Sequence, residues 1–436
     1  MHPSDLFAPA FPAPPAFGQA RTARTDSSVD SAADIDALLR LVASGGPAEP
    51  RRRLIADAAP AAALAAGPSR WHQCGLGASQ QRALRQPDGR TLEAAHAWLA
   101  QPGHHLLGWH HPDYPPLLRR SPNPPLALFV TGDPALLWRP AVAIVGSRSP
   151  TPVGRENTVA FTRALGAAGL LVASGMAAGI DTAAHHAALA SDAPTVAVLG
   201  TGPDVAYPRS NHELHEKIAK HGAIVSEHLP GTGPRKEHFP SRNRILAGLS
   251  LGTLVIEAAH RSGALITARL AADCGREVMA LPGSIHNPLA RGCHRLIRDG
   301  AALVEHPQEV VDLLAPAVAN LAGDLRQHLL APTSEGHAVA SAGLHDPDHG
   351  TITDSPGPAR IEPPAATRGP NRQPEANDGV DGDHHIVWCA LGHDPTGMDQ
   401  LVERTGLTAA RLSSMLLLME LEGRVAVQHG RYFRNR

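Results

Sequence analysis

Four short stretches of this 436-residue chain hold the residues whose types and spacing can do chemistry. The apolar run Ala141 to Val145 closes in Gly146-Ser147-Arg148, and a helix is predicted to start near Pro152 or Val153. A strand that runs into a Gly-Ser turn at a helix start aims backbone N–H groups and the positive end of the helix dipole at one spot. That geometry suits a phosphate, and Arg148 adds a forked cation for the same oxygens. The run Leu170 to Ala173 ends alike, in Ser174-Gly175 and a loop reaching Gly179, with Asp181 expected to cap the next helix. Thr195 to Leu199 ends in Gly200-Thr201-Gly202-Pro203, which lacks the last glycine of a dinucleotide fingerprint, since position 205 is Val. The fourth stretch, Arg235 to Arg244, sets Arg235, Lys236, Arg242 and Arg244 around Phe239. Cations track a phosphate backbone, and an exposed aromatic stacks on an unpaired base. Bland readings stand beside these. Glycine turns also serve as plain βα connections, Phe239 also suits a core, and Asn243 can tie the loop rather than touch a ligand.

Other chemistries lack their residues. No G-x-x-x-x-G-K-[ST] and no G-x-S-x-G occurs, which argues against a P-loop ATPase and an α/β-hydrolase. The 26 histidines include adjacent pairs such as His104-His105 and His185-His186, whose side chains diverge on a helix or strand. There is no H-E-x-x-H, so no metal and no cofactor is expected. Glu257, at the end of the run Thr253 to Ile256, is the best lone acid or base, and a loop-organising role is the expectation for it.

The elements that must position these residues follow from the pattern. Apolar runs at Ala141 to Val145, Leu170 to Ala173, Thr195 to Leu199, Ala223 to Val225, Thr253 to Ile256 and Val278 to Leu281 alternate with helix-length segments. This predicts an α/β fold, a doubly wound parallel sheet over residues 121–316 with its strand ends on one edge. Hydrophobic residues make up 43% and aromatics only 3%, so the core must be aliphatic, which suits parallel strands covered on both faces. Residues 1–28, rich in Pro and Ala, read as disordered. Residues 29–120 read as a small helical domain plus a Pro-rich connector, and 317–383 as a disordered linker. From 384 to 436, three helices and a β-ribbon make a winged helix. Thr396 is expected to cap its second helix and Thr408 its third, and Gly423 ends the third. Four scattered cysteines without C-x-x-C fit a reducing cytoplasm, and no apolar run is long enough to span a membrane. The formal net charge of −2 means that any binding of a polyanion depends on local charge.

With these residues placed, the sequence resembles the DprA/Smf family of DNA-processing proteins. The resemblance is carried by VAIVGSRSPTPVG (142–154), ASGMAAGIDTAAHHAAL (173–189), VAVLGTGPDVAYPRSN (196–211), SEHLPGTGPRKEHFPSRNRILAGLS (226–250), GTLVIEAAHRSGALITARLAADCGREVMALPG (252–283) and RGCHRLIRDGAALV (291–304), in the family's order. The connector (113–133) and LMELEGRVAVQHGRYFR (418–434) also look like the family's. The resemblance implies an extended Rossmann-like domain after a sterile-alpha-motif-like helical domain. It implies binding of single-stranded DNA taken up in natural transformation, its protection, loading of RecA onto it, and a homodimer. With no catalytic motif in place, no catalysis is expected. Carried over by motif, the DNA site comprises Gly146, Ser147, Arg148, Ser174, Gly175, Lys236, Phe239, Asn243 and Arg244, with Arg148 and Lys236 as main phosphate contacts. Cys293 and His294 depart from the family's small or polar residues near Gly292.

Two other function classes fit parts of the chain. A nucleoside-monophosphate phosphoribohydrolase would share the Gly-rich strand end beside Glu257, but its P-G-G-x-G-T motif is broken here to Leu249-Ser250-Leu251-Gly252-Thr253. A transcription regulator would use 384–436, where Arg411 is the one early cation on the third helix.

Overall fold

The computed structural model describes residues 31–330, 378–428 and 430–435. The expected disordered segment 1–28 and most of the expected linker lie outside the described residues.

A nine-stranded sheet organises the chain, with strand order β1-β2-β6-β5-β4-β3-β7-β8-β9. The strands are β1 (His104–Gly108), β2 (Ala127–Gly132), β3 (Ala141–Val145), β4 (Leu171–Ser174), β5 (Thr195–Val198), β6 (Ala223–Ser226), β7 (Gly252–Val255), β8 (Glu277–Ala280) and β9 (Ala302–Leu303). From β6 across to β9 every pairing is parallel. All six runs expected as strands are present, as β3 to β8. β1 and β2 form an antiparallel pair that joins the edge through β2 against β6. The expected helical domain of 29–120 therefore gives β1 to the main sheet. Its pairing partner, β2, lies at the far end of the connector, so no local pattern announced it.

Six helices come first: α1 (Ala32–Ala43), α2 (Ala48–Leu54), α3 (Pro60–Ala65), α4 (Gly67–Gln73), α5 (Ala78–Arg85) and α6 (Gly89–Leu99). Leu38, Leu41, Leu54, Ile55, Trp71 and Leu84 close their own core. Leu39, Leu92 and Trp98 pack on Phe129 of β2, which fixes this domain against the sheet edge. The connector folds one short helix, α7 (Pro116–Arg119).

Each central strand is buried on both faces, and its alternation sorts side chains between two cores. In β3, Ala141, Ala143 and Val145 face α11 (His238–Leu249), α12 (Gly263–Asp273) and α13 (Arg291–Arg298). Val142 and Ile144 face α8 (Pro152–Ala167), α9 (Ile180–Leu189) and α14 (Pro307–Leu330), with α10 (His212–His221) on Ile224 of β6 in a neighbouring cluster. α14 runs through Leu330 rather than ending at 316. Beyond Pro316, Leu321 is buried, Asp324 pairs with Arg120, and His328 stacks on Trp138 at 4.3 Å. These contacts with the connector hold a helix that composition alone read as linker.

His185 of α9 is wholly buried, with Nδ1 2.9 Å from the Thr195 hydroxyl and Nε2 without a partner. Burial holds its pKa down to about 3. Below about pH 6.5 the unfolded chain takes up a proton at this residue that the folded chain refuses, so stability falls as pH drops from there toward 3. His185→Gln is expected to flatten that dependence, read as the urea midpoint at pH 7.5 and pH 5.

The C-terminal unit consists of α15 (Asp378–Ala390), α16 (Met398–Thr405) and α17 (Ala409–Leu421) with a sheet ordered β10 (Thr396–Gly397), β12 (Arg431–Arg434), β11 (Val425–Gln428). Val387, Leu391, Leu401, Leu412, Met415, Leu416 and Met419 form its core. Thr408 caps α17 as expected, accepting from Arg411 N–H. Thr396 does not cap α16. It pairs with Tyr432 as strand, and Gly397 takes the N-cap with Gln400 reaching back to its N–H. A forked contact from Arg404 to Glu156 of α8, at 2.8 and 3.0 Å, joins this unit to the sheet domain.

Candidate nucleic-acid interface

The turns after β3, β4 and β5 meet at the carboxyl edge of the parallel strands, where open α/β sheets bind ligands. A pocket of about 100 Å³ opens there, lined by Arg148, Gly175, Ala177, Ala178, Tyr207, Pro208, Phe239 and Arg242. Arg148 is exposed, makes no ion pair among the described residues, and lies 6.0 Å from the Phe239 ring centre. The rings of Phe239 and Tyr207 are 5.2 Å apart. One cation and two aromatic faces thus share an open surface, a combination that suits a sugar-phosphate chain with unstacked bases.

The floor explains why these turns hold their shape. Arg242 is buried beneath them, and its Nη1 donates to the carbonyls of both Gly175 and Val198. A Cβ at Gly175 would lie 2.5 Å from that guanidinium, so this position must be glycine. Asp181 is also buried. Burial raises its pKa, and the Arg242 charge opposes the rise. Asp181 is not the helix cap expected of it. α9 starts at Ile180, two residues earlier than expected, with Gly179 as its cap, and Asp181 Oδ2 accepts the N–H groups of Gly175 and Ala177 at 3.2 and 3.3 Å. Those two donors are spent inside the protein, which leaves Arg148 as the pocket's unpaired cation. Gly179 has φ +87°, and a Cβ there would meet Ser147 O at 2.3 Å, so the first two turns close on each other only through glycine.

The other expected site residues sit as follows. Gly146 lies under Ile180, and Ser147 is buried with its Oγ accepting Ser149 N–H at 3.1 Å. Ser174 is fully buried, and its hydroxyl donates to Ile144 O at 2.7 Å, so it ties β4 to β3 and does not reach the surface. Lys236 is exposed on the loop entering α11, outside the pocket lining. Asn243 Oδ1 accepts from Arg242 Nε at 3.1 Å and so steadies the buried guanidinium. Arg244 is drawn away from the pocket. It forms an ion pair with Glu227 and donates to Asn123 O at 2.6 Å, fastening α11 to the connector. Glu257 accepts Thr151 N–H (2.9 Å), Thr151 Oγ–H (2.6 Å) and Asn287 Nδ2–H (3.2 Å), so it organises the loop before α8. Cys293 is buried in the core, which pushes its thiol up to about 12.

Sequence reasoning missed Tyr207 and the burial of Arg242. The available signal for Tyr207 was an aromatic beside Pro208 in the loop leaving the third parallel strand. Among the described residues no cluster of His, Cys, Asp and Glu is arranged to hold a metal, and no helix is long and apolar enough to cross a membrane.

Comparison with known proteins bears on this geometry. The family model for DNA recombination-mediator protein A matches residues 105–315, and the DprA winged helix domain matches 370–431. Protein Smf of Escherichia coli is 35% identical over 365 residues, covering 84% of this chain and 86% of its own length. The chain belongs to the DprA/Smf family. DNA processing protein DprA of Streptococcus pneumoniae is 46% identical over 198 residues, 45% of this chain and 70% of that relative. An X-ray structure of the pneumococcal DprA superposes with a TM-score of 0.57 at 35% identity, covering 64% of this chain and 97% of the other. The matched span of the first DprA model starts inside β1 and ends within α14, so it takes in most of β1, which composition had assigned to the helical domain, together with β2.

Proposed function

We propose that this DprA/Smf protein binds single-stranded DNA at the carboxyl edge of its sheet, as a carrier in the cytoplasm and not as a catalyst. It would shield DNA taken up in natural transformation and pass it to RecA, acting as a homodimer. The observation that carries the reading is the exposed, unpaired Arg148 beside the Tyr207–Phe239 pair in one open pocket. A duplex hides its base faces, so an exposed Tyr207 ring and a half-buried Phe239 ring beside one cation favour an unpaired strand. Family membership, with relatives named as DNA processing proteins, supports the same class of ligand. The phosphoribohydrolase reading needs a free carboxylate, and Glu257 is held by Thr151 and Asn287.

Binding of an oligothymidylate should weaken with salt, the logarithm of affinity falling by about 0.7 per phosphate neutralised for each decade of salt. Arg148→Ala should weaken all sequences alike and lower that slope by about 0.7, and Lys236→Ala should do the same if the loop contacts the backbone. Unchanged affinity and slope in both variants would reject the site. Release of free base from nucleoside monophosphates at enzyme-like rates would reject the carrier role. RecA filament formation on coated DNA, with and without this protein, tests the loading step.

A further inference from the structure

α17 is the third helix of the winged helix, the position that in helix-turn-helix readers enters the major groove. Its outward face does not suit a polyanion. Leu417, Leu418 and Leu421 are 57%, 50% and 78% exposed, continuing a stripe that starts at exposed Ala410, Ser413 and Ser414. Its one cation, Arg411, is already paired with Asp383. The opposite face of the same helix, Leu412, Met415, Leu416 and Met419, fills the domain's core, so the outer leucines are not needed for folding. An uncharged apolar stripe on an otherwise polar surface marks a contact with protein.

We propose that this stripe docks on the same stripe of a second copy of the chain, antiparallel about a twofold axis. The pattern is self-complementary. Its N-terminal half carries small side chains and its C-terminal half carries leucines. A twofold between Ser414 and Leu417 sets Leu421 against the partner's Ala410, Leu418 against the partner's Ser413, and Leu417 against the partner's Ser414. Large residues thus meet small ones throughout, as isologous contacts require. The flanking charges agree. Arg411 and Glu422 lie eleven residues apart, about three helical turns, and so share one side of the stripe at opposite ends. The antiparallel arrangement brings each Arg411 toward the partner's Glu422, joining the local pairs Arg411–Asp383 and Arg424–Glu422 into one network. A parallel pairing would instead stack leucine on leucine and like charge beside like charge.

The size of the stripe limits its strength. A 13-residue helix is about 20 Å long, so the buried face is on the order of 300 Å² per subunit, below the roughly 800 Å² of a stable pair. The contact therefore acts between copies already held close, where effective concentration replaces area.

The test uses the full-length chain. Ala410→Cys together with Leu421→Cys should form an intermolecular disulfide under copper–phenanthroline oxidation, read as a dimer band on non-reducing electrophoresis several-fold above the wild-type background from the native cysteines. Each single variant should stay at that background, because the twofold pairs 410 only with 421. Leu417→Asp in the double-cysteine chain should abolish the band. Arg411→Glu should weaken it, and adding Glu422→Arg should restore it, which a misfolded variant cannot do. No band above background, equal bands from the Ala410→Cys single variant, or indifference to Leu417→Asp would overturn the proposal. So would protection of the two cysteines by an added different protein with no self-linking.

Discussion

Replacing Arg242 with Met is expected to destabilise the fold by about 3–5 kcal/mol, the usual cost of leaving a buried charge without its compensating charge. Two losses add. Asp181 would be left as a buried carboxylate without the positive charge that opposes its desolvation, and the Gly175 and Val198 carbonyls would lose their donor. Methionine matches the length of the arginine stem, so packing is nearly kept and the charge is what changes. Asp181→Asn in the same background should recover part of the loss, since the amide oxygen can still accept the Gly175 and Ala177 N–H groups. Chemical denaturation of the single and double variants measures both effects. Equal stability of Arg242→Met and the parent would show that the floor does not depend on this charge. The same variant should also weaken DNA binding, because the Gly175–Ala178 loop that lines the pocket rests on the guanidinium.

Phe239→Ala and Tyr207→Ala are each expected to weaken binding of single-stranded DNA by about 1–3 kcal/mol, roughly 5- to 150-fold, if a base stacks on each ring. The rings are 5.2 Å apart, so the two losses should not add fully in the double variant. The decisive control is an oligonucleotide carrying abasic sites. Against it the parent should lose the affinity that the aromatics supply, and the alanine variants should then bind as well as the parent. Fluorescence anisotropy with both oligonucleotides reads this directly. An equal loss on intact and abasic strands would mean that the rings only shape the loop. Leu or Met at 239 separates apolar packing from stacking, since both keep volume and lose the flat face.

Much of this protein was open to inspection from the residues alone, and the reason is local. β3 to β8 show as apolar runs because strands buried on both faces must be apolar throughout. Arg148 and Phe239 could be picked out because a Gly-Ser turn and a cation-rich loop each carry their signal within about ten residues. Thr408 was legible as a cap because a cap bonds within its own helix turn.

What the chain order could not reveal is where each polar group finds its partner. Arg242 and Arg244 are two residues apart and read alike, yet one is buried under Gly175 and the other pairs with Glu227 after β6 and bonds to Asn123 of the connector. Successive positions on a helix point to different sides, and the sheet order decides what lies on each. Tyr207 reaches Phe239 only because β5 and β6 are neighbours, and Asp181 leaves the cap position because the β4 loop folds back over it. β1 and the second half of α14 were misread for the same cause. Their stabilising contacts, with β2 and with the connector, come from segments distant in sequence, and periodicity reports only what lies within a few turns.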